Sequence, residues 1–298
     1  MPDLVFTPAL TVILGLQMVF LLAGCAILAA RVRSLPARFV GIAPNRLTPS
    51  PFRASELFLG AALTFGGAII FHVVVSFIAN RWFPAPADGS LGRCQALTGA
   101  GVQIGALAGI GHAWFWHLRP SKRIEAPAAG MENHRAPTST LPSLSTGAAL
   151  REGSLAFLAL LPVVWLVNMG WQAALDRLDI SAPPQDLVAL FARSGDIPSL
   201  VVMLILAVLI APVTEELVFR IGFFRWIRTR AMRGVALFLP AASFALLHGN
   251  LAVFLPIVVL AVCLAIAYER SGHPLVPIVA HALFNLNTVL LILAGYPV

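Results

Sequence analysis

Long stretches of this chain contain no Asp, Glu, Lys or Arg: 4–30, 57–80, 94–118, 153–175, 197–214, 234–268 and 271–298. A helix that crosses a bilayer needs about 20 apolar residues, so runs of this length read as transmembrane helices. The run 234–268 is too long for one span, and His248-Gly249-Asn250 interrupts it as a turn between two helices, the first of them short. The expected spans are therefore near 4–30, 55–79, 96–118, 152–175, 198–213, 235–248, 251–269 and 275–295. The fold class that follows is all-α, a polytopic transmembrane helical bundle of about eight helices. Composition agrees, with 59% hydrophobic and 11% charged residues, against about 25% charged in a soluble domain. Disorder, a disulfide-rich scaffold and a collagen-like fibre are excluded.

A net charge of +7 raises nucleic acid as a partner, but the placement of the basic residues assigns the charge elsewhere. With the N-terminus outside, the inner segments 31–53, 119–151, 214–234 and 270–274 hold all but four of the 20 Lys and Arg, the exceptions being Arg81, Arg93, Arg177 and Arg193. Cytoplasmic loops carry such an excess, so the surplus is a topology signal facing lipid headgroups, and no nucleic-acid partner is expected. The basic residues are all Arg except Lys122, a usage that points to a GC-rich bacterial genome and hence to an inner or plasma membrane. The start has no basic n-region, and the apolar run behind it is too long for a signal peptide, so it is expected to stay in the membrane.

Cys25, Cys94 and Cys263 lack metal-ligand spacing and read as small buried hydrophobes. Residues 119–150, rich in Pro, Ala, Ser and Thr, read as a flexible cytoplasmic linker. It divides an N-terminal three-helix membrane region, 1–118, from a five-helix region, 151–298. In the outer loop 176–197 a short interfacial helix is expected around Leu187–Phe191.

Charge within a membrane helix costs about 2.5–3.5 kcal/mol per residue on insertion scales, so the polar residues in these runs each need a reason. Thr214-Glu215-Glu216-Leu217-Val218-Phe219-Arg220 follows the fifth span, after Ala211-Pro212, which suggests a kink or a fresh helix start. On a helix Glu216 pairs with Arg220 at i,i+4, and Glu215 points about 100° away. The alternative is a pair of interfacial charges at a helix end. Phe244 and His248 share a face at the end of the sixth helix, where a His beside Gly-Asn also fits a turn. His281 and Asn285, again i,i+4, lie deep in the last run and offer two donors in line, or an interhelical clamp worth about 0.6–2 kcal/mol.

Together these residues supply a carboxylate, two imidazoles and an amide. They suit a water-activating base with oxyanion donors, or a metal site of Glu215, His248 and His281. No H-E-x-x-H or G-x-S-x-G occurs, and Cys25 and Cys263 have no adjacent His.

Glu215-Glu216-x-x-x-Arg220, Phe244-x-x-x-His248 and His281-x-x-x-Asn285 resemble the three motifs of the CPBP family of intramembrane proteases, which includes type II CAAX prenyl endopeptidases and bacteriocin-processing or self-immunity homologues. The likeness covers about 150–298. It implies an intramembrane endopeptidase acting on a membrane-anchored or exported peptide or protein. Glu215 would activate water with help from His248, His281 and Asn285 would hold the oxyanion, and Glu216 and Arg220, with Phe244 beside them, would shape and tune the pocket. Asn285 is a poor zinc ligand and a good oxyanion donor, which favours metal-free catalysis, with zinc as the alternative cofactor. A non-catalytic scaffold or immunity protein and a small-solute transporter with Glu215 and Glu216 as proton relay are the competing readings. Topology poses a difficulty, because His248 at the outer surface would stand most of a membrane away from an inner Glu pair. Either the sixth helix is re-entrant or the pocket is deep.

Overall fold

The computed structural model describes residues 7–33, 46–50, 52–83, 93–117, 144–181 and 197–296, and among them every regular element is helical. Eight helices follow in chain order: α1 (Pro8–Arg33), α2 (Ala54–Trp82), α3 (Arg93–His112, with a wider π turn Ala113–His117), α4 (Thr146–Arg177), α5 (Ile197–Arg228), α6 (Arg233–Leu247), α7 (Phe254–Ser271) and α8 (Leu275–Leu293). The expected helical bundle is present. Six of these, α1, α2, α4, α5, α7 and α8, are long and apolar enough to cross a membrane, while α6 has only 15 residues.

Outside those six, α3 is diluted by glycine for a packing reason. A Cβ at Gly105 would sit 2.2 Å from the Gly67 carbonyl oxygen of α2, so the two helices touch backbone to backbone, as small residues permit inside membranes.

Two boundaries differ from the sequence reading. Helix α4 starts at Thr146, where the Ser145 hydroxyl accepts the Ala148 N–H at 3.3 Å and caps an otherwise open first turn. More consequentially, α5 does not stop at 213 but runs about three turns beyond Glu216, to Arg228. Leu217-Val218-Phe219 and Ile221-Gly222-Phe223-Phe224 keep it apolar, and the one cation among them, Arg220, is neutralised within the helix by Glu216. The Glu pair therefore sits inside a span rather than at its end. Most of the expected linker 119–150, and the short helix expected near Leu187–Phe191, lie outside the described residues.

Helix α4 is the hub, packing against α1, α7 and α8, while α5 packs against α3, α6 and α8. Phe157, Leu160, Leu161 and Val164 of α4 form the core with Leu260 and Leu264 of α7 and Ala280 of α8. At the basic end, Glu269 is fully buried between Arg228 at 2.6 Å and Arg233 at 2.8 Å, clipping α5, α6 and α7 together. The segment before α2 is laced onto the same end. Leu47 is buried among Phe224, Ile227 and Tyr268, Arg225 Nε donates to the Thr48 carbonyl at 2.9 Å, and the Trp226 indole donates to the Phe52 carbonyl at 3.1 Å. Gln17 of α1 and Asn287 of α8 hydrogen-bond across the opposite half.

Candidate active site

Adjacent carboxylates on a helix diverge by about 100°, and here the divergence gives them different partners. Glu216 faces inward, is 0% exposed, and is held by both α5 and α8. Its Oε2 pairs with Arg220 Nε at 3.1 Å, and its Oε1 accepts from His281 Nδ1 at 2.8 Å. Glu215 retains 26% exposure, and its Oε2 lies 3.6 Å from His281 Nε2. That spacing is too long for a hydrogen bond and leaves a carboxylate free to meet something else. His281, 3% exposed, thus stands with one ring nitrogen committed and the other looking toward an accessible acid.

Because a carboxylate only accepts, Nδ1 of His281 carries its proton toward Glu216, and Nε2 donates only in the doubly protonated ring.

Phe244 on α6 forms the wall. Its ring lies edge-on to His281 at 6.0 Å and to His248 at 4.7 Å, and the Arg220 guanidinium stacks over it at 4.7 Å. Both Nη atoms of Arg220 lack a hydrogen-bond partner among the described residues, and Arg220 lines a small cavity with Phe219, Leu237 and Pro240.

The topological difficulty is resolved from both sides. Helix α5 carries Glu215 and Glu216 well before its basic end, and the 15-residue α6 rises only about 22 Å, so His248 stops one turn above Phe244. His248 is exposed, and its Nδ1–H donates to the Phe244 carbonyl at 2.8 Å. Since a carbonyl also only accepts, Nε2 is left as an acceptor in the neutral ring.

Asn285, one turn beyond His281 on α8, does not touch the Glu pair. Its Nδ2 donates to the Ala207 carbonyl at 2.8 Å. That carbonyl is available for a local reason. Over Leu206–Ile210 the helix widens to π spacing, and the Ala211 N–H reaches back to the Leu206 carbonyl. The same spacing would pair Ala207 with residue 212, a proline with no N–H to give. A second π segment, Leu217–Phe224, follows the Glu pair directly. Such segments concentrate at functional sites.

All seven residues singled out in sequence fall into one neighbourhood: Glu215, Glu216, Arg220, His281 and Phe244 in mutual contact, His248 joined through Phe244, and Asn285 anchored to α5. The Ala207 carbonyl and the contacts that hold the turn after His248 were not legible beforehand. Pro212 was the sole signal for the first, and it reads equally as a kink. Among the described residues no three His, Cys, Asp or Glu side chains gather as metal ligands. The Nδ1 bonds of His281 to Glu216 and of His248 to the Phe244 carbonyl leave the Nε2 of each ring uncommitted.

Residues 197–287 match the family model described as type II CAAX prenyl endopeptidase Rce1-like. The match runs from the first residue of α5 through Asn285 and so includes every residue of this site. No curated protein and no solved structure matches the chain.

Proposed function

We propose that this chain, whose residues 197–287 match the type II CAAX prenyl endopeptidase Rce1-like family model, is an intramembrane endopeptidase of the CPBP family that hydrolyses a peptide bond of a membrane-associated protein with Glu215 as general base. The observation that carries the reading is the asymmetry of the two carboxylates. Glu216 is buried and doubly bound, whereas Glu215 is accessible and 3.6 Å from the same imidazole.

In the reaction Glu215 takes a proton from a water oriented by His248 Nε2, and the nascent hydroxide adds to the scissile carbonyl carbon. The carbonyl π pair moves to oxygen, and that oxyanion is met by His281 and by the second Nδ2–H of Asn285, the first being spent on Ala207. As the C–N bond breaks, Glu215 returns its proton to the leaving nitrogen, so the chain ends unchanged and one water is consumed. Glu216 keeps His281 oriented, and Arg220 balances Glu216. Held in a low-dielectric interior, these groups need little reorganisation when charge develops.

Metal-free catalysis belongs to the same reading. Turnover survives rigorous chelation on this mechanism, and loss restored by zinc would overturn it. The decisive test compares protein termini in membranes of the host carrying either the wild-type gene or Glu215→Gln, which removes the base and keeps the shape. Termini formed only with wild type identify both the activity and its substrate. Identical termini would leave a non-catalytic membrane scaffold.

A further inference from the structure

We propose that Trp171 and Gln172, near the end of α4, are positioning residues that hold the turn carrying His248. The inference rests on the endopeptidase reading above and adds residues that lie outside the matched segment 197–287.

His248 closes α6 and is exposed, with its ring held by its own helix through the Phe244 carbonyl and the Phe244 ring. Helix α6 reaches one residue beyond it, where the Gly249 N–H donates to the Leu246 carbonyl at 3.0 Å. Gly249 turns the backbone with φ of +61°, a region open to glycine at no steric cost. The next residues reach α7 through a short bend. The Asn250 side chain accepts from the Ala252 N–H at 2.8 Å, and the Phe254 N–H reaches the Leu251 carbonyl at 3.2 Å.

Helix α4 ties the bend to the bundle. The Trp171 indole N–H donates to the Leu251 carbonyl at 2.8 Å, and Gln172 Nε2 donates to the Ala252 carbonyl at 2.9 Å. Two consecutive donors thus take two consecutive carbonyls, which fixes register as well as distance. Asn168, one turn earlier on the same face, lies 3.5 Å from the Gln172 amide nitrogen. Helix α4 is also the hub that buries Phe157, Leu160 and Leu161 against α7 and α8, so the clamp refers the His248 turn to the rigid core that places His281. A water-orienting nitrogen displaced by about 1 Å loses on the order of 100-fold in rate, and a turn that bends at a glycine keeps that latitude unless its far side is held.

The test uses the purified full chain in detergent, with an internally quenched farnesylated CAAX peptide as probe and Trp171→Phe and Gln172→Leu as variants, which keep bulk and delete the donors. Wild-type cleavage that Glu215→Gln abolishes establishes the underlying reading. Against that background the clamp predicts a fall in kcat of about 10-fold with KM held within about 2-fold. It also predicts that Gln172→Leu adds nothing further to His248→Ala, because both act through one imidazole. An unchanged kcat, or losses that add in the double variant, would overturn the clamp while leaving the protease reading intact. If wild type fails to cleave this peptide, hydrogen exchange decides. Backbone exchange at 248–253 that quickens in both variants while α8 stays protected sustains the clamp, and unchanged exchange removes it.

Discussion

Glu215 and Glu216 are chemically identical and adjacent, and their substitution separates two kinds of failure. Glu215 is partly exposed and makes no close bond, so Glu215→Gln is expected to leave thermal unfolding in micelles unchanged while abolishing cleavage. Glu216→Gln instead strands the buried Arg220 guanidinium, which is 2% exposed. Removing one partner of a buried pair costs about 3–5 kcal/mol, so a large drop in Tm is expected together with lost activity. The two effects come apart in the double variant Glu216→Gln, Arg220→Met. It has no buried charge left to strand and is expected to regain most of the lost Tm, while cleavage stays low because His281 lacks the carboxylate that orients it. Recovery of activity along with stability would show Glu216 to be a structural counter-ion alone. The i,i+4 pairing of Glu216 with Arg220 was legible from spacing. The Glu216–His281 bond was not, since two residues 65 apart in sequence meet only after α5 and α8 have packed.

At the scale of elements, helix existence was readable because lipid demands long uncharged runs, and all eight expected helices are present. What could not be read was where α5 ends. The Glu pair looked like a terminus because charge usually marks one, and internal neutralisation by Arg220 hid the continuation. The first π segment was equally invisible, as it depends on a missing proline N–H and on Asn285 from another helix. That dependence makes Pro212 testable. Pro212→Ala supplies an N–H that competes with Asn285 for backbone acceptors near Ala207 and removes an interior proline that costs a helix about 3 kcal/mol. The expected outcome is a Tm equal to or above wild type with kcat reduced about 10-fold, the lower end of what losing an oxyanion donor costs. If turnover is instead unchanged, Asn285 does not need its α5 anchor, and the π turn is a packing accommodation.

For the whole molecule, the arrangement of charge is asymmetric along the helix axes. Arg225, Arg228, Arg230 and Arg233 cluster where α5 meets α6 and around the buried Glu269, and Arg46 joins them through its backbone bond to the Glu269 carbonyl. The other end presents the clamped 248–253 turn and the close of α4. Cytoplasmic segments retain Lys and Arg, so the Arg-rich end is expected inside the cell and the His248 turn toward the outer half of the bilayer. Several of these arginines are spent on protein acceptors, so a structural explanation for the cluster competes with a topological one. Single cysteines distinguish them in a chain whose Cys25, Cys94 and Cys263 are replaced by Ala. Met232 is 78% exposed just before α6, and Leu178 is 68% exposed just after α4, so Met232→Cys and Leu178→Cys report opposite ends without touching the site. A membrane-impermeant maleimide is expected to label Leu178→Cys in spheroplasts and Met232→Cys only in inverted vesicles. The reverse pattern would mean that the arginines serve Glu269 and the segment before α2 rather than topology. The accessible carboxylate of Glu215 would then be approached by substrates from the opposite side of the membrane.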